Sequence, residues 1–188
     1  MENRRRRPAL CCDSAERRTT WNIKMMKISM EAIKTPEELE FVVFCIENVA
    51  TALHVDGATA YRILTDKSDV LKSYIAPCYN VLHTQGKEYI VEDVLDVLKN
   101  MGVALTGYPQ YERKKLRAHP VLLQMKYARV IGLFAEKNRL SLDDALDFFY
   151  RSELYPLVSE GVSDLHCMSD DYLAEELTDE HLEKGRQG

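Results

Sequence analysis

After Thr35 the apolar residues fall into helical stripes. Leu39, Val42, Val43, Ile46, Val49, Ala50 and Leu53 recur at the period of an α-helix and share one face. The start of this helix is signalled as well: Thr35 can cap, Pro36 suits the first helical position, and Glu37 and Glu38 favour the positive end of the helix dipole. Asp56 then opens a short helix carrying Ala60, Ile63 and Leu64. Ser68 or Asp69 opens a third with Leu71 and Ile75, which stops near Pro77 because proline has no amide hydrogen to donate. After a turn over Tyr79 to Gly86, a fourth helix runs from about Lys87 through Tyr89, Ile90, Val94, Leu95 and Leu98, with Gly102 as its stop.

The second half follows the same order. Tyr127, Val130, Ile131 and Phe134 mark an amphipathic helix, and Ser141 with Asp144 forms a capping-box-like start for one bearing Ala145, Phe148 and Phe149. Leu154, Leu157 and Val158 supply a third, broken or bent around Pro156, and Ser169 starts a fourth with Tyr172, Leu173 and Leu177. At a spacing of 85 residues Ile46 falls on Ile131, Ala50 on Ala135, Val55 on Leu140, Asp56 on Ser141 and Ala60 on Ala145. At a spacing of 83, Leu71 falls on Leu154, Ile75 on Val158, Leu82 on Leu165, His83 on His166, Tyr89 on Tyr172 and Glu92 on Glu175. Core and cap positions dominate the matches, as expected of a duplicated fold. The expected fold is therefore all-α, with two tandem copies of a small four-helix unit packed together. Residues 34–102 would form the first unit, 103–120 a linker and 121–183 the second. Each unit alone would bury too little surface for a large stability margin.

Residues 1–33 lack helical periodicity and carry the run Arg4 to Arg7, Cys11, Cys12 and Trp21, so a disordered tail or a mis-called start is expected, with Met25, Met26 or Met30 as the alternative first residue.

Charge adds a constraint on partners. Residues 1–35 hold nine Lys/Arg against four Asp/Glu and residues 103–120 four against one, whereas residues 36–102 hold five against eleven and residues 121–188 seven against fourteen. Both helical units are acidic, which disfavours a phosphate-binding surface and makes nucleic acid an unlikely partner. The longest apolar runs, Phe41 to Ile46 and Val130 to Ala135, fall far short of the roughly 20 residues that span a bilayer, so no membrane helix is expected. The five cysteines lack disulfide-framework spacing, and a cytoplasmic location fits them best.

The most distinctive string is shared by both halves: Leu82, His83, Tyr89 and Glu92, matched by Leu165, His166, Tyr172 and Glu175. One reading is structural: leucine anchors the turn, histidine satisfies backbone groups at the start of a helix, and tyrosine packs with its hydroxyl outside. The functional reading makes His83, Tyr89, Glu92, His166, Tyr172 and Glu175 a partner-binding set. Metal binding through Cys78 with His83, or His166 with Cys167, lacks zinc-site spacing, so no metal or other cofactor is expected. No nucleophile is paired with a base and no glycine-rich phosphate loop occurs, so an enzyme is not expected. An enzymatic use of the turns would require His83 or His166 in a concave pocket beside acids. The alternative class is a DNA-binding regulator of helix-turn-helix type, but its recognition helices would offer essentially Arg62 and Asp147 to the bases.

The strings Phe41 to Glu47 and Val81 to Asp93 resemble the bacterial domain of unknown function 3791. Ala145 to Phe149 with Ser163 to Leu177 resembles the same family in a second flavour, so that the likeness extends over about 38–102 and 125–180. The resemblance implies small helical proteins of gut and related bacteria, often encoded beside proteins that look like ADP-ribosyltransferases. It thereby implies an accessory or antitoxin-like partner of such a protein, with no catalytic residues to carry over. A fused two-unit chain departs from the shorter members and would replace a homodimer; a monomer or a homodimer is expected.

Overall fold

A computed structural model describes residues 31–111 and 119–187. All regular structure among them is helical, in the order α1 (Pro36–Leu53), α2 (Gly57–Thr65), a π-helical turn (Leu71–Ile75), α3 (Tyr79–Leu82), α4 (Lys87–Asn100), α5 (Pro120–Asn138), α6 (Leu142–Arg151), α7 (Leu154–Ser159), a 3₁₀ segment (Val162–Cys167) and α8 (Asp170–Gln187). The described residues form one compact unit.

The helix ends follow the local chemistry. Thr35 Oγ1 accepts from the Glu38 amide at 3.2 Å, Asp56 Oδ1 from the Thr59 amide at 2.8 Å, Ser141 Oγ from the Asp144 amide at 3.1 Å and Ser169 Oγ from the Tyr172 amide at 3.2 Å. Each satisfies an amide that the helix itself leaves unpaired. α4 ends in a Schellman turn: Gly102 takes φ +76°, its amide reaches Lys99 O at 2.9 Å, and the Val103 amide reaches Leu98 O at 3.0 Å. α1 and α5 end in the same motif on non-glycine residues, His54 (φ 54°) and Arg139 (φ 56°), with Val55 and Leu140 donating back to Ala50 O and Ala135 O, both at 3.0 Å.

Two prolines act differently from the sequence expectation. Before Pro77 the chain widens into the π turn, in which the Ala76 amide reaches Leu71 O at 3.0 Å, and helical geometry resumes over Tyr79–Leu82 where a plain turn was expected. The wide turn makes room for a ring that would otherwise press on the carbonyl four residues earlier. Pro156 neither breaks nor bends α7, because the helix begins at Leu154 and the proline falls in its first turn, where no amide donor is required.

The core is one cluster drawn from both halves. α1 is its axis: Val42, Val43, Cys45, Ile46, Val49 and Ala50 are inaccessible to solvent. It packs on α2, α4 and α5, and α5 in turn packs on α6 and α8. Ile33 is also buried, and the amides of Ala32 and Ile33 both donate to Asp143 Oδ2, at 2.9 and 3.1 Å, so the three residues preceding 34 belong with the fold. The rest of the expected tail, residues 1–30, lies outside the described residues. In the expected linker, Tyr111 donates its amide to His54 O at 2.8 Å; the basic stretch Arg113 to Arg117 lies outside the described residues.

An aromatic seam ties the halves together. Tyr61 of α2 stacks on Tyr150 of α6 with ring centroids 5.1 Å apart, and Tyr150 meets Tyr155 at 5.0 Å. Their hydroxyls are anchored on acids: Tyr150 and Tyr155 donate to the buried Glu47 Oε1 at 3.2 and 3.0 Å, and Tyr61 donates to Asp147 at 3.0 Å. Burial of the ring, followed by the neighbouring Asp147, pushes the Tyr61 phenol far above its ordinary value. Gly57 is required beneath this seam, since a Cβ there would collide with the Tyr155 hydroxyl and the Glu47 carboxylate.

Candidate functional site

A groove of about 550 Å³ opens where α1, the turn from α3 to α4, and the first turns of α5 meet. Its floor is apolar and aromatic. Phe44 stacks on Phe41 at 6.3 Å, Phe41 meets the edge of Tyr79 at 5.5 Å, and Tyr79 stacks on His83 at 4.5 Å, a continuous row of four rings. Val121 and Met125 of α5 form the opposite side and remain 50% and 42% exposed. Leu122, between them, is 63% exposed, so the apolar surface continues beyond the groove.

The polar groups are placed asymmetrically. Glu37 and Glu40 stand one helical turn apart on the α1 lip, and Lys87 stands at the start of α4. Hydrogen bonds from its own backbone amide and then from the Thr35 hydroxyl hold the Glu37 carboxyl below the usual range, so it is ionised at neutral pH. Among the described residues Lys87 reaches only its neighbour Glu88, at 3.9 Å. Gln124 on α5 is 93% buried, and its Oε1 has no hydrogen-bond partner among the described residues.

Of the six residues expected to bind a partner, His83 alone lines this groove. Its Nδ1 lies 2.6 Å from Tyr79 O, the backbone-satisfying role of the structural reading. Glu37 and Glu40 do stand along the same concavity, but neither Ser nor Cys lines it. Tyr89, Glu92 and Tyr172 are exposed on α4 and α8. The Tyr172 phenol is held above its ordinary value by its hydrogen bond to Glu176, and Glu175 approaches Lys137 at 3.4 Å. His166 is half-buried, its Nδ1 without a partner among the described residues, in a turn whose Ser163 and Asp164 both take left-handed backbone angles.

Phe41, Phe44, Met125 and Gln124 were not singled out by the sequence pattern. A signal was present nonetheless. Phe41 to Ile46 is apolar at six successive positions, more than one stripe of a helix can accommodate, so that run must present apolar side chains on a second flank.

At a spacing of 85 residues the corresponding flank of α5 is finished with charge. Lys126 and Arg129 stand where α1 has Phe41 and Phe44, and both reach Asp170 at the start of α8, at 2.9 and 2.6 Å. Lys126 also donates to Met168 O at 2.5 Å. Burial opposes ionisation of Asp170, yet hydrogen bonds from Arg129 and Lys126 outweigh it and hold the carboxyl below its ordinary value.

Other chemistry is sparse. Cys45 and Cys78 are buried, and burial pushes the Cys45 thiol far up, away from nucleophilic character. Asp147, which a recognition helix would present, accepts from Tyr61 and, at 2.8 Å, from Arg151 Nε. Among the described residues no three His, Cys, Asp or Glu side chains converge as metal ligands, and no single helix is long and apolar enough to cross a membrane.

Comparison with known families places residues 40–101, which run from α1 through α4, as a match to the family described as Protein of unknown function (DUF3791). The match supports the family likeness carried by Phe41 to Glu47 and Val81 to Asp93. No curated protein and no solved structure matches the chain.

Proposed function

We propose that this chain is a non-enzymatic helical interaction module that binds another protein through the groove of α1, α4 and α5. The aromatic flank of α1 carries the reading: buried Phe41 and half-buried Phe44 line an open groove whose apolar surface continues onto exposed Val121, Leu122 and Met125, the mark of an interaction site in a small protein. The acidic balance of both halves and the family likeness support the more specific form, an accessory or antitoxin-like partner of an ADP-ribosyltransferase-like protein, bound on a basic surface. On this reading the two halves are tandem copies, as the αL caps His54 and Arg139 and the N-caps Asp56 and Ser141, each pair 85 residues apart, suggest.

Co-expression with the product of the adjacent gene, followed by size-exclusion chromatography and a growth assay, tests the reading. Co-elution and relief of any toxicity of the neighbour are expected. Separate elution with no relief overturns it.

A further inference from the structure

Resting on the reading of the groove as a partner site, we infer that its occupant is an amphipathic helix of about three turns. It lays an apolar stripe on Phe41, Phe44 and Met125, a Lys/Arg flank along Glu37 and Glu40, and a side-chain donor at Gln124.

The walls decide against an extended peptide. The walls are helices and the short turn before α4, with no strand edge, so a strand placed here would lose water from its amides and find no ladder to pair with, whereas a helix satisfies its own backbone. The surface also exceeds what a small molecule needs, since exposed Leu122 extends it outside the concavity.

Charge sets the orientation. Among the described residues no cation pairs with Glu37 or Glu40, and the two acids share one lip of α1, a spacing that matches basic residues one turn apart on a helix alongside. Lys87 across the groove disfavours the reversed placement. Gln124 then fixes the register. Its buried acceptor lacks a partner, and 85 residues earlier the same place on α1 is filled by fully buried Leu39. Gln124 lines the groove, and turning its amide outward would offer that acceptor to a donor on the occupant, such as a serine, asparagine or tryptophan side chain.

The test uses the full chain with three fluorescein-labelled helical peptides of about four turns. One carries a leucine stripe with a lysine flank and a central serine, the second has glutamate in place of lysine, and the third has serine in place of leucine. Fluorescence anisotropy is expected to show the lysine peptide binding at least about tenfold more tightly than either of the others, and NMR to show shifts at the Met125 and Val121 methyls. Phe44→Arg with Lys87→Asp, which copies the α5 flank, should abolish binding while the thermal melt persists. Gln124→Leu should raise the melting temperature and weaken the serine-bearing peptide about threefold or more. Equal binding of the lysine and glutamate peptides, or shifts confined to α8, overturns the inference. So does a dimeric mass by light scattering that Met125→Glu returns to monomer, because a second copy then fills the groove. If the adjacent gene product co-elutes and Phe44→Arg with Lys87→Asp abolishes this while no peptide binds, the helical occupant alone fails. Co-elution that survives those substitutions overturns the groove as the partner site.

Discussion

On α1, Phe41 and Phe44 line an open groove with Lys87 and Ile90 of α4; on α5, at a spacing of 85 residues, Lys126 and Arg129 close on Asp170 at the start of α8. The surrounding frame is alike in both places: a long helix ending in an αL cap, an Asx- or Ser-capped short helix, and a later helix packed against the long one. Aromatic side chains on the outer flank leave part of their apolar surface facing an open groove. Paired charges at the same register close the flank within the chain and leave it content with water. The difference between the halves is thus a difference in how each outer flank is finished, and on the proposed reading the partner meets the aromatic flank of α1 together with the first turns of α5.

The comparison can be broken most severely at the seam on which both flanks depend. Gly57→Ala puts a methyl against the Tyr155 hydroxyl and the Glu47 carboxylate and should cost about 2–3 kcal/mol, read as a lowered urea midpoint with unchanged slope.

Next is the tie on the closed flank. Asp170→Asn removes a carboxylate that two cations hold, and should cost about 2 kcal/mol at pH 7. The sign of its pH dependence follows from the lowered titration: the stabilisation is complete above the ordinary value of 3.8 and is lost as pH falls through the folded-state value. Melting curves should therefore show a deficit for Asp170→Asn at neutral pH that shrinks as the pH falls below the ordinary value of 3.8. A deficit that persists there would assign the loss to packing instead of charge.

The smallest effect concerns what the halves share. His54 and Arg139 hold left-handed backbone that disfavours a Cβ, so glycine at either site should add about 0.5 kcal/mol, after allowing for glycine's greater freedom when unfolded. Equal gains at both sites, measured by thermal melts, would show that the frame is indifferent to the flanks; a gain at one alone would separate the caps.

Much of the frame was legible along the chain because it is local. Thr35, Asp56, Ser141 and Ser169 act through amides three residues away, and Gly102 through its own backbone, so each announces a helix end without reference to the rest. The periodic stripes of α1 and α5 likewise identify which faces are buried. The shared His/Tyr turn was visible too, yet its role was not. His83 belongs to the groove only because α5 lies across from it, and Tyr89 and Glu92, six and nine residues later, do not line it.

By itself, then, the order of residues determined an all-helical chain with its caps, its buried stripes and its acidic halves, because propensity, capping and charge act over a few residues or over composition. Only the tertiary structure decided that one core spans both halves, that Glu47 sits beneath two tyrosines more than 100 residues away, and that half-buried Phe44 lines an open groove while Arg129 is paired. Those outcomes depend on which surfaces meet across long separations in sequence, and periodicity shows that a face is apolar without showing what will cover it.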